Sequence, residues 1–316
     1  MAPPVIRPGE TGRRQGVSPG RWLGWLREEY RLSDKAGYLF VLPYLLHFAV
    51  FTAYPLVFAF ILVFHRWNIV SPMEYVGLRN VIRLINDQTF WRALTNTLKF
   101  LSLHIPLQIA LALAIAVILN AKIAFRAFFR ASFFLPFVIS GAVVTVLWRQ
   151  LYSTETGVIN LLLYRLGLSQ VEWLTSPAIA IYSLAIMATW KNIGFYIVLF
   201  LAGLQNVPHE LYEAASIDGA SSTQQFWKIT LPLLNPVVLV VVILSTIGGF
   251  SLFIEPFVMT GGGPAESTLS VVLYLYKQGF NFLRMGYAAT IGFALAALIL
   301  VVVLIQKRLI EAEQHY

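Results

Sequence analysis

Six stretches of this chain run for about 20 residues or more with hardly a charged side chain, and no other feature restricts its folding so strongly. A helix rises about 1.5 Å per residue, so about 20 apolar residues cross the roughly 30 Å of hydrocarbon in a bilayer. The stretches run from Ala36 to about Phe64, Thr97 to Asn120, Phe128 to Trp148, Pro177 to about Leu204, Leu233 to Met259 and Tyr287 to Ile305. Pro43 and Pro55 are expected to bend the first. Hydrophobic residues make up 58% of the 316 and charged ones 12%, against about 25% charged in a soluble protein. The chain is therefore expected to be an all-α polytopic membrane protein with six transmembrane helices.

Residue usage narrows the chemistry. There is no Cys, which excludes disulfide scaffolds, thiolate nucleophiles and Cys-based metal sites, and the five His residues never fall at ligand spacing. The net charge of +8 is uneven, since seven of the 23 Lys and Arg lie in the first 35 residues. A basic tail ahead of an apolar span sets membrane orientation. Placing the amino terminus inside puts 13 Lys and Arg in the inner segments and eight in the outer loops, so both termini are expected to be cytoplasmic. The first span is too long, and starts too far along the chain, for a cleaved signal peptide, and its retention is expected. Residues 1–35 read as a cytoplasmic tail with an interfacial helix near Trp22 to Tyr30, 36–309 as the membrane domain, and 310–316 as a second cytoplasmic tail. Small residues recur every fourth position at Ala110 and Ala114, and at Ala288, Gly292 and Ala296, where they are expected to admit close helix packing.

Between the fourth and fifth spans, residues 205–232 are the least membrane-like segment after the tail. Asn206 suits a helix cap, Pro208 a first turn, and Glu210 the positive end of a helix dipole. Gly219 suits the left-handed residue that ends a helix, Ser221 and Gln224 have capping-box spacing, and Pro232 fits the start of the fifth span. A polar helix of about 11 residues is about 16 Å long, too short to span a membrane and weak alone in water. It needs a surface to pack against. Ala214 and Ala215 give it a narrow shoulder and Glu210, Glu213 and Asp218 an acidic character, which suit a knob entering a cleft of a cytoplasmic protein; an ordinary helical loop is the alternative.

The run Glu213-Ala214-Ala215, three residues, Gly219, nine residues, Ile229, one residue, Leu231-Pro232 resembles the EAA signature of permease subunits of bacterial ABC importers. Met259 to Leu269, followed by Met285-Gly-Tyr-Ala-Ala289, resembles the carbohydrate branch, and within it the first permease of heterodimeric pairs. The resemblance covers about Tyr38 to Leu309. It implies the type I ABC importer permease (MetI-like) fold in the bacterial inner membrane, with Glu213, Ala214, Ala215 and Gly219 docking on an ATPase. It implies a second permease, two cytoplasmic ATPase subunits and an extracytoplasmic solute-binding protein as partners, with lipid around them and no nucleic acid. No GxxxxGK[ST] phosphate loop is present, so the chain is expected to be no enzyme and to carry no cofactor, with ATP and Mg on the partner ATPase. The short loop from about Arg66 to Arg92 departs from the maltose-type subunit, which carries a large insertion there.

Polar groups inside apolar spans tend to face the protein interior. Span four offers Asn192 and Phe195, and span five offers Ser245, Gly249 and Leu252, which share one helical face at i, i+4 and i+7. The resemblance places the family's sugar site on these parts of both spans, although each polar residue equally suits a bond to a neighbouring helix. Lys191 and Glu255 are costly in a span and suit pairing with each other or with a partner, while Lys99 and His104 read as interfacial and His47 as packed beside a span. Within the importer class, a glycerol phosphate or polyol is the alternative to a sugar. A secondary transporter would act without an ATPase, and a membrane enzyme would need a cluster of His, Asp or Glu that the sequence lacks.

Overall fold

The structure, a computed structural model, describes residues 37–121 and 124–312. The expected amino-terminal tail with its interfacial helix, Lys122, and residues 313–316 lie outside them. The chain divides into two compact units, one ending at Phe58 and one beginning at Ala59. In order come α1 (Gly37–Val63), β1 (His65–Arg66), β2 (Glu74–Tyr75), α2 (Arg79–Ile85), α3 (Gln88–Asn120), α4 (Arg126–Val138) and α5 (Gly141–Leu151). They are followed by α6 (Val158–Arg165), α7 (Ala180–Gln205), α8 (His209–Ile217), α9 (222–233), α10 (Asn235–Phe250), α11 (Ile254–Met259), α12 (271–281) and α13 (Met285–Ala312). The strands β1 and β2 pair antiparallel, His65 opposite Tyr75.

Among the described residues, five helical segments are long and apolar enough to cross a membrane, and a sixth exists if α4 and α5 form one span. Two expected spans are broken. The pair α4 and α5 bends by 96°, with extended backbone at Ile139 and Ser140 just after Pro136, whose missing N–H weakens the end of α4. The fifth span stops at Phe250 and resumes at Ile254. In α1 a π-helical turn at Ala49–Ala53 lies between the two prolines, and His47 meets Phe51 of its own helix at 5.0 Å.

The second span begins at Gln88 rather than Thr97 because Asp87 caps it. Its carboxylate accepts the N–H groups of Thr89 (2.9 Å) and Phe90 (3.3 Å) and the hydroxyls of Tyr274 and Tyr287. Burial raises the pKa of this carboxyl, but bonds from Tyr274, Tyr287 and the two amides outweigh it and hold the value below the usual one. A group more acidic when folded stabilises the fold above its unfolded pKa and loses that contribution as pH falls through the folded value. Asp87→Ala should cost about 1–2 kcal/mol at neutral pH. The thermal midpoint of the purified protein should drop at pH 7, with the gap to wild type closing below the ordinary carboxylate range.

Helix α7 is the most buried span and packs on α3, α4 and α10. Its first half joins one apolar cluster through Leu184, Ala185 and Met187, and its second half joins another through Ile197, Phe200 and Leu204. Between them lies a buried polar belt. There His104 Nδ1 meets Thr189 Oγ1 at 2.8 Å, and Gln108 Nε2 donates to Ser245 Oγ. His104 is 4% exposed and belongs to this belt, not to the membrane interface, because α3 starts at Gln88 rather than Thr97 and so carries it about two and a half turns further inward. Ala110 and Ala114 face outward, whereas Ala112 and Ala116, both fully buried, form the close contact with α7. Alternating Ala from 110 to 116 writes two i, i+4 stripes, and only packing selects one.

Candidate functional site

One cavity of about 380 Å³ opens beside the polar belt. Asn192, Phe195, Ser245, Gly249 and Leu252 all line it, as do His104, Phe137, Tyr196 and Glu255. Phe137 lies parallel to Phe195 with centroids 5.0 Å apart, giving the wall a flat aromatic face. Asn192 Nδ2 donates to the Ala188 carbonyl at 2.9 Å, leaving its other N–H and its carbonyl oxygen uncommitted. Ser245 is 1% exposed and accepts from Gln108 Nε2, so part of its hydroxyl capacity serves helix packing. A Cβ at Gly249 would collide with the Leu101 side chain, so its small size also serves packing. Leu252 reaches the cavity from the break after α10, not from a shared helical face with Ser245 and Gly249.

The cavity draws Phe137 from the end of α4 and Glu255 from α11, two places set by breaks that apolar patterning does not reveal. Lys191 lies beside the other break, its Cε 3.6 Å from where a Cβ of Gly141 would stand. No ion pair joins it to Glu255. Among the described residues no group of three or more His, Asp or Glu is placed to hold a metal.

The loop between the two main cavity walls carries α8. Pro208 precedes the helix, while Asn206 terminates α7 instead of capping α8. Gly219 has φ +77°, and the bonds Ala220 N–H to Ala215 O (2.9 Å) and Gly219 N–H to Ser216 O (3.1 Å) form a Schellman ending. Ser221 and Gln224 form the capping box of α9. Pro232 lies inside α9, and Pro236 occupies the first turn of α10. Glu213, Ala214 and Gly219 are exposed and Ala215 half-buried; Glu213 lies 3.7 Å from His209. Ile217 is 86% exposed, an apolar side chain on a short polar helix. Tyr212 to Thr230 (2.8 Å) and Gln225 to Ser216 (3.0 Å) tie α8 to α9.

Residues 108–312 match the family model described as "Binding-protein-dependent transport system inner membrane component". The arabinooligosaccharides transport system permease protein of Bacillus subtilis is 39% identical over 308 residues, 96% of this chain and 97% of that one. The lactose transport system permease protein of Rhizobium radiobacter is 36% identical, covering 87% of this chain and 94% of its own. A chain of a bacterial alginate ABC transporter, in complex with an alginate pentasaccharide-bound periplasmic protein, superposes with a TM-score of 0.80 at 25% identity. It covers 91% of this chain and 98% of that one.

Proposed function

Since this chain belongs to the inner membrane components of binding-protein-dependent transport systems, we propose that it forms the translocation path of an ATP-driven importer for a sugar or oligosaccharide. It is a multi-pass membrane transport subunit, not an enzyme. The observation that carries the reading is mechanical. Helix α8 projects from the connection between α7 and α10, which supply Asn192, Phe195 and Tyr196 on one wall and Ser245 and Gly249 on the other. A partner that grips α8 through Glu213, Ala214, Ala215 and Gly219 therefore acts on both walls at once. The partner is an ATPase pair that binds ATP and Mg, and a second permease completes the path, with both termini of this chain cytoplasmic.

The solute follows from the lining. Parallel rings and an uncommitted amide suit a stacked, polyhydroxylated ring. Among the lining residues are one acid, Glu255, and no Arg or Lys, which disfavours a phosphorylated solute. Relatives named for arabinooligosaccharides and lactose support the same class.

The direct test is purification of the tagged chain in mild detergent with identification of what accompanies it, followed by uptake in proteoliposomes. A second six-span permease and an ATPase should co-purify. Recovery of the chain alone, under detergent conditions that preserve a known complex of this kind, would point to a secondary carrier. Asn192→Ala combined with Phe195→Ala should lower sugar uptake about tenfold, the effect of losing about 1.4 kcal/mol of solute interaction, without loss of assembly. Native uptake of every candidate sugar by that variant would remove the cavity from the path.

A further inference from the structure

The end of the molecule opposite α8 carries a second pocket, of about 790 Å³. Helix α13 marks the separation. Met285 at its start donates to the Trp67 carbonyl at 3.0 Å, while Ile310 near its end accepts from Asn235 Nδ2 at 3.3 Å, beside the connection that bears α8. Those two points are about 38 Å apart along the helix. Arg66, Arg79, Arg83 and Arg284 line the pocket, with Glu74 as its one acid. All four Arg are exposed and none forms an ion pair with another described residue, whereas Arg92 nearby is paired to Glu266 at 2.6 Å.

The frame around these charges is well held. Asn80 donates to the carbonyls of Val63 (2.9 Å) and His65 (3.0 Å), fastening α2 to the hairpin. Arg83 stands 4.1 Å from the Tyr287 ring centroid and Arg284 5.5 Å from that of Phe282. Aromatic faces position a guanidinium without occupying its N–H donors; Arg284 spends one of its donors on Gln278 Oε1 at 3.4 Å, and the remaining donors of both forks are available to carboxylates. At the hairpin tip Val70 is 86% exposed, and Ile69 holds φ +71°, a rare conformation for a β-branched residue. Positive charges gathered with one acid among them repel one another, and an outside anion relieves that repulsion.

We propose that this pocket seats acidic side chains on one lobe of the external solute-binding protein. The inference rests on the importer reading above. The transported solute is a poor occupant, because the pocket shares no lining residue with the cavity between α7 and α10. A phospholipid is also poor, since the neighbouring apolar crevice, lined by Leu84, Ile85 and Leu298, shares no residue with the pocket that holds the charges. Arg beside exposed apolar residues is instead the composition of a protein interface.

The test uses the complete importer in lipid nanodiscs, titrated with its solute-loaded binding protein while ATPase activity is read. Arg66→Gln with Arg79→Gln should raise the half-saturating concentration of binding protein about tenfold and leave the maximal rate unchanged. Polyglutamate should compete with the binding protein on the wild-type complex, and polylysine should not. An unchanged half-saturating concentration, or no competition by polyglutamate, overturns the proposal; the competition result decides alone if the variant does not assemble. A loss that depends on phosphatidylglycerol content and not on binding protein assigns the pocket to lipid and overturns it too. Failure of binding protein to stimulate even the wild-type complex would overturn the importer reading itself, a distinct outcome.

Discussion

A valine at position 219 should abolish ATP-driven uptake while the chain still reaches the membrane in wild-type amounts. Gly219 sits at φ +77°, and both bonds of the Schellman ending depend on that left-handed residue. An L-residue there costs about 1–2 kcal/mol, and a β-branched one more, so the chain escapes by unwinding the last turn of α8. Nothing lies within 4 Å of a Cβ at this position, so the effect is purely one of backbone conformation. The expected order of uptake is therefore Gly, then Asn, then Ala, then Val, measured in proteoliposomes alongside co-purification of the ATPase. Equal uptake across the series would show that α8 does not transmit the stroke.

Gly194→Val should remove most of the folded protein from the membrane. A Cβ on Gly194 would collide with the Phe133 carbonyl and approach the Phe134 Cα to 2.8 Å, so α7 and α4 meet backbone to backbone. A side chain can rotate away, but a carbonyl within a helix cannot without breaking its own hydrogen bond. Overpacking of this kind costs about 3 kcal/mol or more, a large share of the stability of a folded chain. Even Ala should lower the thermal midpoint in detergent. Gly248→Ala is the control: Gly248 lines the cavity, but a Cβ there meets nothing within 4 Å, and folding should be unaffected. Equal midpoints for Gly194→Val and Gly248→Ala would contradict the close crossing.

The segment between α7 and α10 was legible in the sequence because its signals are local. Gly219, Ser221 and Gln224 specify a helix end, a turn and a new helix within six residues, and each takes the expected role. Asn206 and Pro232 take other places than their local signals suggest, since caps and turns shift by a residue or two when a preceding helix runs on. The cavity was legible in part. Polar residues within apolar spans pointed to Asn192 and Ser245, but the same rule could not separate lining from packing, and Ser245 does both.

By itself the sequence determined the membrane class, the near-sixfold pattern of spans and the exposed helix between two of them, since all three rest on runs of adjacent residues and their cost of transfer into lipid. Tertiary structure alone decided where α4 meets α5 at 96°, where the fifth span breaks, which alanine stripe packs, and how Arg66 and Arg284 come to share a pocket. These depend on contacts between residues far apart in the chain, where steric fit and the pairing of buried polar groups outweigh any preference that a local segment can express.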